Sequence, residues 1–432
     1  MQKIMNYEDA VDYLKTTLSR GSRPGLSRII ELLELMDNPQ RKNKVIHVTG
    51  TNGKGSVCRM LSSILQAQGY KTGLFASPYI TRINESIQIN SREIPDLLFA
   101  EIIGFIYPLA ESMDDPPTEF EILTAAAFEY FYRNKCDIAV IECGMGGDAD
   151  STNVIEVPLL SVITNVAVDH SSFLGKTTAE IAVHKAGIIK KDRPLLFAGT
   201  DADADKVITE KAENMNSELF HADYSQLAVK DFSLEATLLD FGSYKNIRLS
   251  LLGLYQPQNC AAVLTAIDIL RKYGLNISNE AVYSGLSNAV WNGRFEILCR
   301  KPLIIFDGSH NPHGMEYTVN SIKRYFNSKV IVLMGVMADK DYKNLAGQLS
   351  GVSQHVFTVT PNNPRALSSK LLAEVFSGYG VEASYYDDCI NSAAEAAYDY
   401  AVRTHLPILA VGSLYMYNDI RTSFENYRTK HI

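Results

Sequence analysis

Long apolar runs are missing from this chain. No stretch reaches the roughly 18 residues that a membrane-spanning helix needs, so the sequence offers no helical span. An apolar leader is missing too: MQKIMNYEDAVDYLK is polar and helical in pattern and does not read as a secretory signal. Cysteine is sparse, and its six positions (Cys58, Cys136, Cys143, Cys260, Cys299 and Cys389) show no CxxC spacing. That excludes a zinc ribbon or dithiol redox motif and reads as reduced thiols in a cytoplasmic protein. A basic excess is absent as well. Lys and Arg number 41 against 49 Asp and Glu, a net charge of −8, which argues against a general nucleic-acid binder. There is no low-complexity tract and no short-period repeat. With 46% hydrophobic and 21% charged residues, the composition is that of a folded globular protein, and extensive disorder is excluded.

What is present is length and alternation. A chain of 432 residues exceeds one ordinary core and suits two or three domains of roughly 100–200 residues each. Short β-rich runs at 45–49, 72–76, 138–142, 159–164 and 195–198 alternate with helical stretches such as 119–133. Runs as apolar as Ile138-Ala139-Val140-Ile141 fit strands buried on both faces, as in a parallel sheet. The pattern breaks around Trp291-Asn292-Gly293-Arg294. A second alternating series then follows, with strands expected at 303–306, 330–335, 355–359, 382–386 and 408–411. The expectation is an α/β protein with two domains. An N-terminal P-loop-type doubly wound sheet domain covers 1–295, and a C-terminal Rossmann-like α/β domain covers 296–432.

The strongest local signal is Val45-Ile46-His47-Val48-Thr49-Gly50-Thr51-Asn52-Gly53-Lys54-Gly55-Ser56. A buried strand runs into a glycine-rich turn, and a helix is expected over 57–68. Glycines let backbone N–H groups approach phosphate oxygens, and the helix N-terminus adds donors and the positive end of its dipole. Lys54 offers a cation to the β and γ phosphates, and Ser56 a hydroxyl to Mg²⁺. The strict Walker spacing is not met: Gly55 stands where the hydroxyl should be, and Ser56 comes one residue late. The plainer alternative is a glycine-rich turn with an incidental lysine.

The variant GTNGKGS resembles the phosphate loop of the Mur ligase superfamily, and further segments resemble its folate branch. They are Ser77-Pro78, Glu142-Cys143-Gly144-Met145-Gly146-Gly147, Asp150-Ser151-Thr152-Asn153, Val168-Asp169-His170, and His184-Lys185-Ala186-Gly187-Ile188-Ile189-Lys190. In the second half come Asp307-Gly308-Ser309-His310-Asn311-Pro312 and Gly412-Ser413-Leu414-Tyr415. The ordered set is similar to folylpolyglutamate synthases over nearly the whole length. The resemblance implies that ATP phosphorylates the terminal carboxylate of a reduced folate. The amine of L-glutamate then attacks the acyl phosphate, releasing ADP and phosphate.

It also implies roles. Gly50, Thr51, Asn52, Gly53, Lys54, Gly55 and Ser56 would hold ATP, with Asn259 on the adenine and Arg294 and Asp307 on the rest of the nucleotide. Ser56, Ser77, Glu142 and His170 would serve two Mg²⁺ sites; potassium is implied as a further cation. Lys185 matches a lysine that related enzymes carbamylate with CO₂, a reaction that needs the neutral amine; an ordinary phosphate-binding lysine is the alternative. Lys185, His310 and Arg294 would act in catalysis, His310 and Ser413 near the incoming glutamate. Tyr79 and Arg82 would serve the substrate loop, on a pterin or benzoyl ring and on a carboxylate; a solvated loop is the alternative there. Partners would be small molecules only, with no nucleic acid and no membrane, and the chain a monomer.

Three departures from the family pattern stand out, one of them bearing on specificity. Enzymes that also make dihydrofolate often carry Gly-Gly-Arg-Leu-Asp where this chain has Gly146-Gly147-Asp148-Ala149-Asp150, so Asp148 reverses a charge. Asn292 stands where proline is common and His184 where Glu is common, and neither removes a proposed functional group. Asp148 favours a tail-extending enzyme over a dihydrofolate synthase, alone or as a second activity. A peptidoglycan Mur ligase and a P-loop nucleotide switch are the more distant alternatives.

Overall fold

The computed structural model describes residues 5–21, 23–387 and 389–431. Two compact units divide the chain. The first holds Met1–Ala228, Leu239–Arg248 and Pro257–Ala289; the second holds Val229–Leu238, Leu249–Gln256 and Val290–Ile432.

The first unit is built on an eight-stranded sheet. Its strands are β1 (Val45–Thr49), β2 (Thr72–Phe75), β3 (Ile87–Ile89), β4 (Arg92–Glu93), β5 (Ile138–Glu142), β6 (Leu160–Ile163), β7 (Leu195–Phe197) and β8 (Leu219–His221). Their order is β4-β3-β2-β5-β1-β6-β7-β8. From β2 to β8 neighbours run parallel, while β3 and β4 form an antiparallel edge. The central strands are buried at every position, which is why their sequences are apolar without alternation. Parallel register places Val48 opposite both Glu142 and Val162. The loops after β1, β5 and β6 therefore emerge side by side at the carboxyl edge, where α/β sheets bind ligands.

The helix Glu119–Arg133 covers this sheet. Thr118 opens it with a capping box: its hydroxyl accepts from the Glu121 N–H, and its own N–H donates to Glu121 Oε2 at 2.7 Å, a device worth about 1 kcal/mol. Its side chains from Glu121 to Phe131 are all buried. Further helices, Tyr7–Thr17, Ser27–Leu35 and Asp96–Ala110, supply buried apolar residues to the same core. Arg28 is tied to buried Glu121 at 3.1 Å. A small three-stranded sheet follows: β9 (Leu227–Phe232), β10 (Thr237–Phe241) and β11 (Tyr244–Leu249).

The second unit carries β12 (Glu296–Arg300), β13 (Leu303–Asp307), β14 (Val330–Met334), β15 (Ser353–Val359), β16 (Ala383–Tyr386) and β17 (Ile408–Val411). They form one sheet in the order β12-β13-β17-β14-β15-β16. All neighbours are parallel except the β12–β13 pair. Sequence periodicity points to five of these strands. The sixth, β12, is an antiparallel edge strand with no fully buried residue. Asp307 and Val411 stand opposite each other at the ends of β13 and β17, so the segments that follow, 308–311 and 412–416, leave the sheet as neighbours.

Candidate active site

β1 delivers the chain to Gly50, whose φ is +154°; a Cβ there would fall 1.8 Å from Thr164 Oγ1. Gly53 adopts φ +83°, and a Cβ there would sit 2.5 Å from Asn259 Oδ1. Only glycine meets both demands at each position, and the second contact lays Asn259 against the loop. The helix Lys54–Ala67 starts three residues before the expected 57, because Gly53 in its left-handed conformation is the N-cap. The backbone N–H groups of Lys54, Gly55 and Ser56 lie outside the helix's own ladder and face the anion-attracting end of its dipole. Lys54 Nζ donates to Gly50 O at 3.0 Å and Thr51 O at 3.3 Å.

Gly50, Thr51 and Lys54 line one wall of a cleft whose other walls are Met145 and Gly146, Asp169 and His170, and Lys185. Lys185 ends the helix Thr178–Lys185 and is only 2% exposed. Burial first, then the Lys54 charge, brings its ammonium down to about 7, while Cys143, Asp169 and Asp150 pull the other way. A large share of Lys185 is therefore neutral at physiological pH. His170 sits at φ +50° as the N-cap of Ser171–Leu174, its N–H donating to Asp169 Oδ1 at 2.8 Å.

Of the other expected metal residues, Ser56 and Glu142 are buried, at the first turn after the loop and at the end of β5. Ser77 follows β2, which β5 separates from β1. Among the described residues, no three His, Cys, Asp or Glu side chains converge on one point. Mg²⁺ takes hard oxygen ligands, one or two carboxylates together with waters and substrate phosphates. The hydroxyls of Ser56 and Ser77 and the carboxylates of Glu142 and Asp169 are hard oxygen donors of that kind.

The loop expected to meet substrate is more committed than its sequence shows. Tyr79 is 38% exposed. Arg82, expected to meet a carboxylate of the substrate, is hydrogen-bonded to Asp96, lies 3.9 Å from Glu93 and rests over the Tyr7 ring at 5.3 Å. Its charge is already matched within the protein. Glu85 closes the loop by accepting from the N–H groups of Ile80 and Thr81. Asp148 and His184 meet each other, with Nδ1 3.0 Å from Oδ2. The Asp148 N–H also donates to the His184 carbonyl at 2.9 Å.

In the second unit Asp307 is buried, and both its oxygens are used. Oδ2 accepts from the Tyr255 hydroxyl at 2.7 Å and the Phe295 N–H at 2.8 Å. Oδ1 accepts from the Ser309 N–H at 2.9 Å and the Thr318 hydroxyl at 3.0 Å. The carboxylate thus holds together the turn after Arg294 and the turn before His310. The Arg294 guanidinium lies over Gly308, where a Cβ would fall 2.4 Å from its Nη1. His310 Nδ1 donates to the Gly308 carbonyl at 2.8 Å. Ser413 is buried after β17, and its hydroxyl accepts from the Tyr415 N–H at 3.2 Å.

The Mur ligase middle domain matches residues 48–267, and the Mur ligase glutamate ligase domain matches residues 293–414. The dihydrofolate synthase/folylpolyglutamate synthase of Bacillus subtilis is 36% identical, over 96% of this chain and 98% of that protein. The folylpolyglutamate synthase of Lacticaseibacillus casei is 35% identical, with the same coverage of 96% and 98%. This chain belongs to the folylpolyglutamate synthase family of Mur ligases. The solved structure of the Mycobacterium tuberculosis folylpolyglutamate synthase complexed with ADP and AMPPCP matches 97% of this chain and 99% of that one. Its TM-score is 0.89 at 28% identity.

One part of this family member escaped the sequence reading. His47, inside β1, has Nε2 2.9 Å from Thr152 Oγ1 and 3.1 Å from Cys143 Sγ, and Thr152 donates to Asp150 Oδ1 at 2.6 Å. Burial pushes His47 down to about 3, so the ring is neutral. The buried Asp150 carboxyl is raised by desolvation and also accepts the Met145 N–H at 2.8 Å. The cluster pins the segment after Glu142 to β1, behind the phosphate loop. The motif segments 142–147 and 150–153 contain its other members, but the only signal that His47 joins them was a histidine within a mostly apolar strand.

Proposed function

We propose that this chain is an ATP-dependent ligase that joins L-glutamate to the γ-carboxylate of a reduced folate through an acyl phosphate. The observation that carries this is the cleft in which Lys54, the glycine turn and the buried amine of Lys185 face one another. A carboxylate becomes electrophilic only when its oxygen is made a leaving group. Phosphoryl transfer is chiefly positioning and charge stabilisation, and this cleft supplies amide donors, a cation and an amine.

The assignments follow from that reading. The loop from Gly50 to Ser56 holds the phosphates, its direct donors being those that open the helix Lys54–Ala67, and Asn259, against Gly53, serves the adenine side. Ser56, Ser77, Glu142 and His170 serve two Mg²⁺ sites, and bound Mg²⁺ would polarise the transferring phosphoryl group. The depressed Lys185 amine supports its carbamylation. Tyr79 and Arg82 serve the folate, and Arg82 contributes mainly by ordering the loop through Asp96. Arg294 stabilises phosphate charge, Asp307 serves the nucleotide and holds the Arg294 turn, and His310 acts near the incoming glutamate. Ser413 serves the glutamate pocket. We read 1–295 as the ATP-binding part with the folate site and 296–432 as the ligase domain. No helix among the described residues is long and apolar enough to cross a membrane, and all six cysteines are free thiols. We place the protein in the cytoplasm, as a monomer with a potassium requirement.

The second reading is dihydrofolate synthase activity. It is favoured by the Asp148–His184 pair, since an aspartate matched by its own histidine is not a bare charge facing the acceptor. The experiment is ADP release with Mg·ATP and glutamate, comparing a reduced folate monoglutamate with dihydropteroate. Activity with the folate alone supports tail extension, activity with both a bifunctional enzyme. Silence with both refutes the folate reading.

A further inference from the structure

The phosphate loop does not hold its own shape. Its first half is bonded to the segment that follows β6. Thr51 N–H donates to the Asn165 carbonyl at 3.0 Å, and Asn52 N–H donates to Asn165 Oδ1 at 2.8 Å. The Thr164 hydroxyl donates to Asn52 O at 2.6 Å. Thr51 Oγ1 donates to Ala167 O and accepts from Ala167 N–H, both at 3.0 Å. The backbone here is tightly seated. A Cβ on Gly50 would lie 3.2 Å from Asn165 N, and one on Gly199 would lie 3.3 Å from Asn165 Cα.

From this we infer that Asn165 is a positioning residue for nucleotide binding: through its carbonyl and side-chain amide oxygens it clamps the Thr51 and Asn52 amides and so fixes the phosphate loop. The clamp does two things. It takes those two N–H groups out of the anion site, leaving phosphate to the donors that open the helix Lys54–Ala67. It also sets the register between the loop and Asp169–His170, because Ala167, two residues before Asp169, is locked to Thr51. An unclamped glycine-rich turn would have to be ordered by the ligand, and that ordering would come out of the binding free energy.

This inference rests on the reading that the loop binds nucleotide, and the test separates the two. Full-length wild type and Asn165→Ala are compared for AMPPCP affinity, for the KM of each of the three substrates, and for amide hydrogen exchange at Asn52. For N165A the expected result is an AMPPCP Kd and a KM for ATP raised about tenfold. Asn52 exchange should be faster, and the KM values for glutamate and the folate acceptor within about twofold of wild type. Asn165→Asp keeps an acceptor oxygen and is expected to keep the Asn52 amide protected. Unchanged Asn52 exchange and KM for ATP in N165A overturn the clamp, as does a parallel rise in all three KM values. If N165A does not fold, N165D decides: Asn52 exchange at the wild-type rate supports the clamp, faster exchange overturns it. A wild-type chain that binds no AMPPCP overturns the reading of the loop itself.

Discussion

Replacing Lys185 by Met should stabilise the unit that contains it, by an amount that depends on pH. The Lys185 ammonium titrates at about 7 in the folded protein and at 10.5 as an ordinary lysine. Below pH 7 both states hold the proton, and folding bears the whole desolvation penalty. Between 7 and 10.5 the unfolded chain binds a proton that the folded chain lacks, so stability rises with pH by about 1.4 kcal/mol per unit. Above 10.5 the penalty is gone. Lys185→Met removes it at every pH with little change in volume. At pH 7 the variant should be more stable by up to about 4 kcal/mol, and the gap should shrink by roughly 2–3 kcal/mol between pH 7.5 and 9.5. The assay is urea unfolding in bicarbonate-free buffer without nucleotide, with the transition identified by hydrogen exchange in peptides from β1 and β5. A gap that stays constant across that range refutes the argument. Lys54→Met removes the second cause, so it should raise the Lys185 pKa and move the onset of the slope to higher pH.

Gly50→Ala should abolish nucleotide binding. Its Cβ would meet Thr164 Oγ1 at 1.8 Å, a clash costing about 3 kcal/mol or more; calorimetry with AMPPCP should show at least a hundredfold loss, partly recovered when Thr164→Ala is added. Asp148→Arg alone should lose the pairing with His184, worth about 0.3–1 kcal/mol at a half-exposed site. Combining it with His184→Glu should restore a pair of opposite polarity, and a thermal melt in which single and double variants are equally destabilised would exclude that compensation.

The buried parallel strands were legible because burial on both faces leaves an uninterrupted apolar signature. Val45–Thr49, Ile138–Glu142 and Ile408–Val411 lie at the residues expected, as does the helix Glu119–Arg133. Edge strands were not legible. In β12 four residues are intermediate in burial and Arg300 is exposed, and β4 is two exposed residues long; such segments pair because a neighbour presents an open ladder, not because their own pattern demands it. In the site, Gly50, Thr51, Lys54, His170 and Lys185 could be named from motifs, and they line one cleft. What motifs do not carry is what a side chain is already bonded to. Asp307 accepts four hydrogen bonds, Arg82 is matched by Asp96, and Asp148 faces His184. Asn165 was invisible for a similar reason: its carbonyl does half its work, and a carbonyl has no letter in the sequence.

The Lys54 ammonium is not directed into solvent. It is solvated by two carbonyl dipoles of its own loop, those of Gly50 and Thr51. On the proposed reading, nucleotide binding is therefore an exchange reaction at Nζ, in which neutral oxygens are traded for anionic ones. The measured affinity reports the difference between two occupied states. The electrostatic gain from this lysine is smaller than a bare cation meeting a phosphate would give, and it costs the loop little reorganisation, since the ammonium is already held within the phosphate cradle.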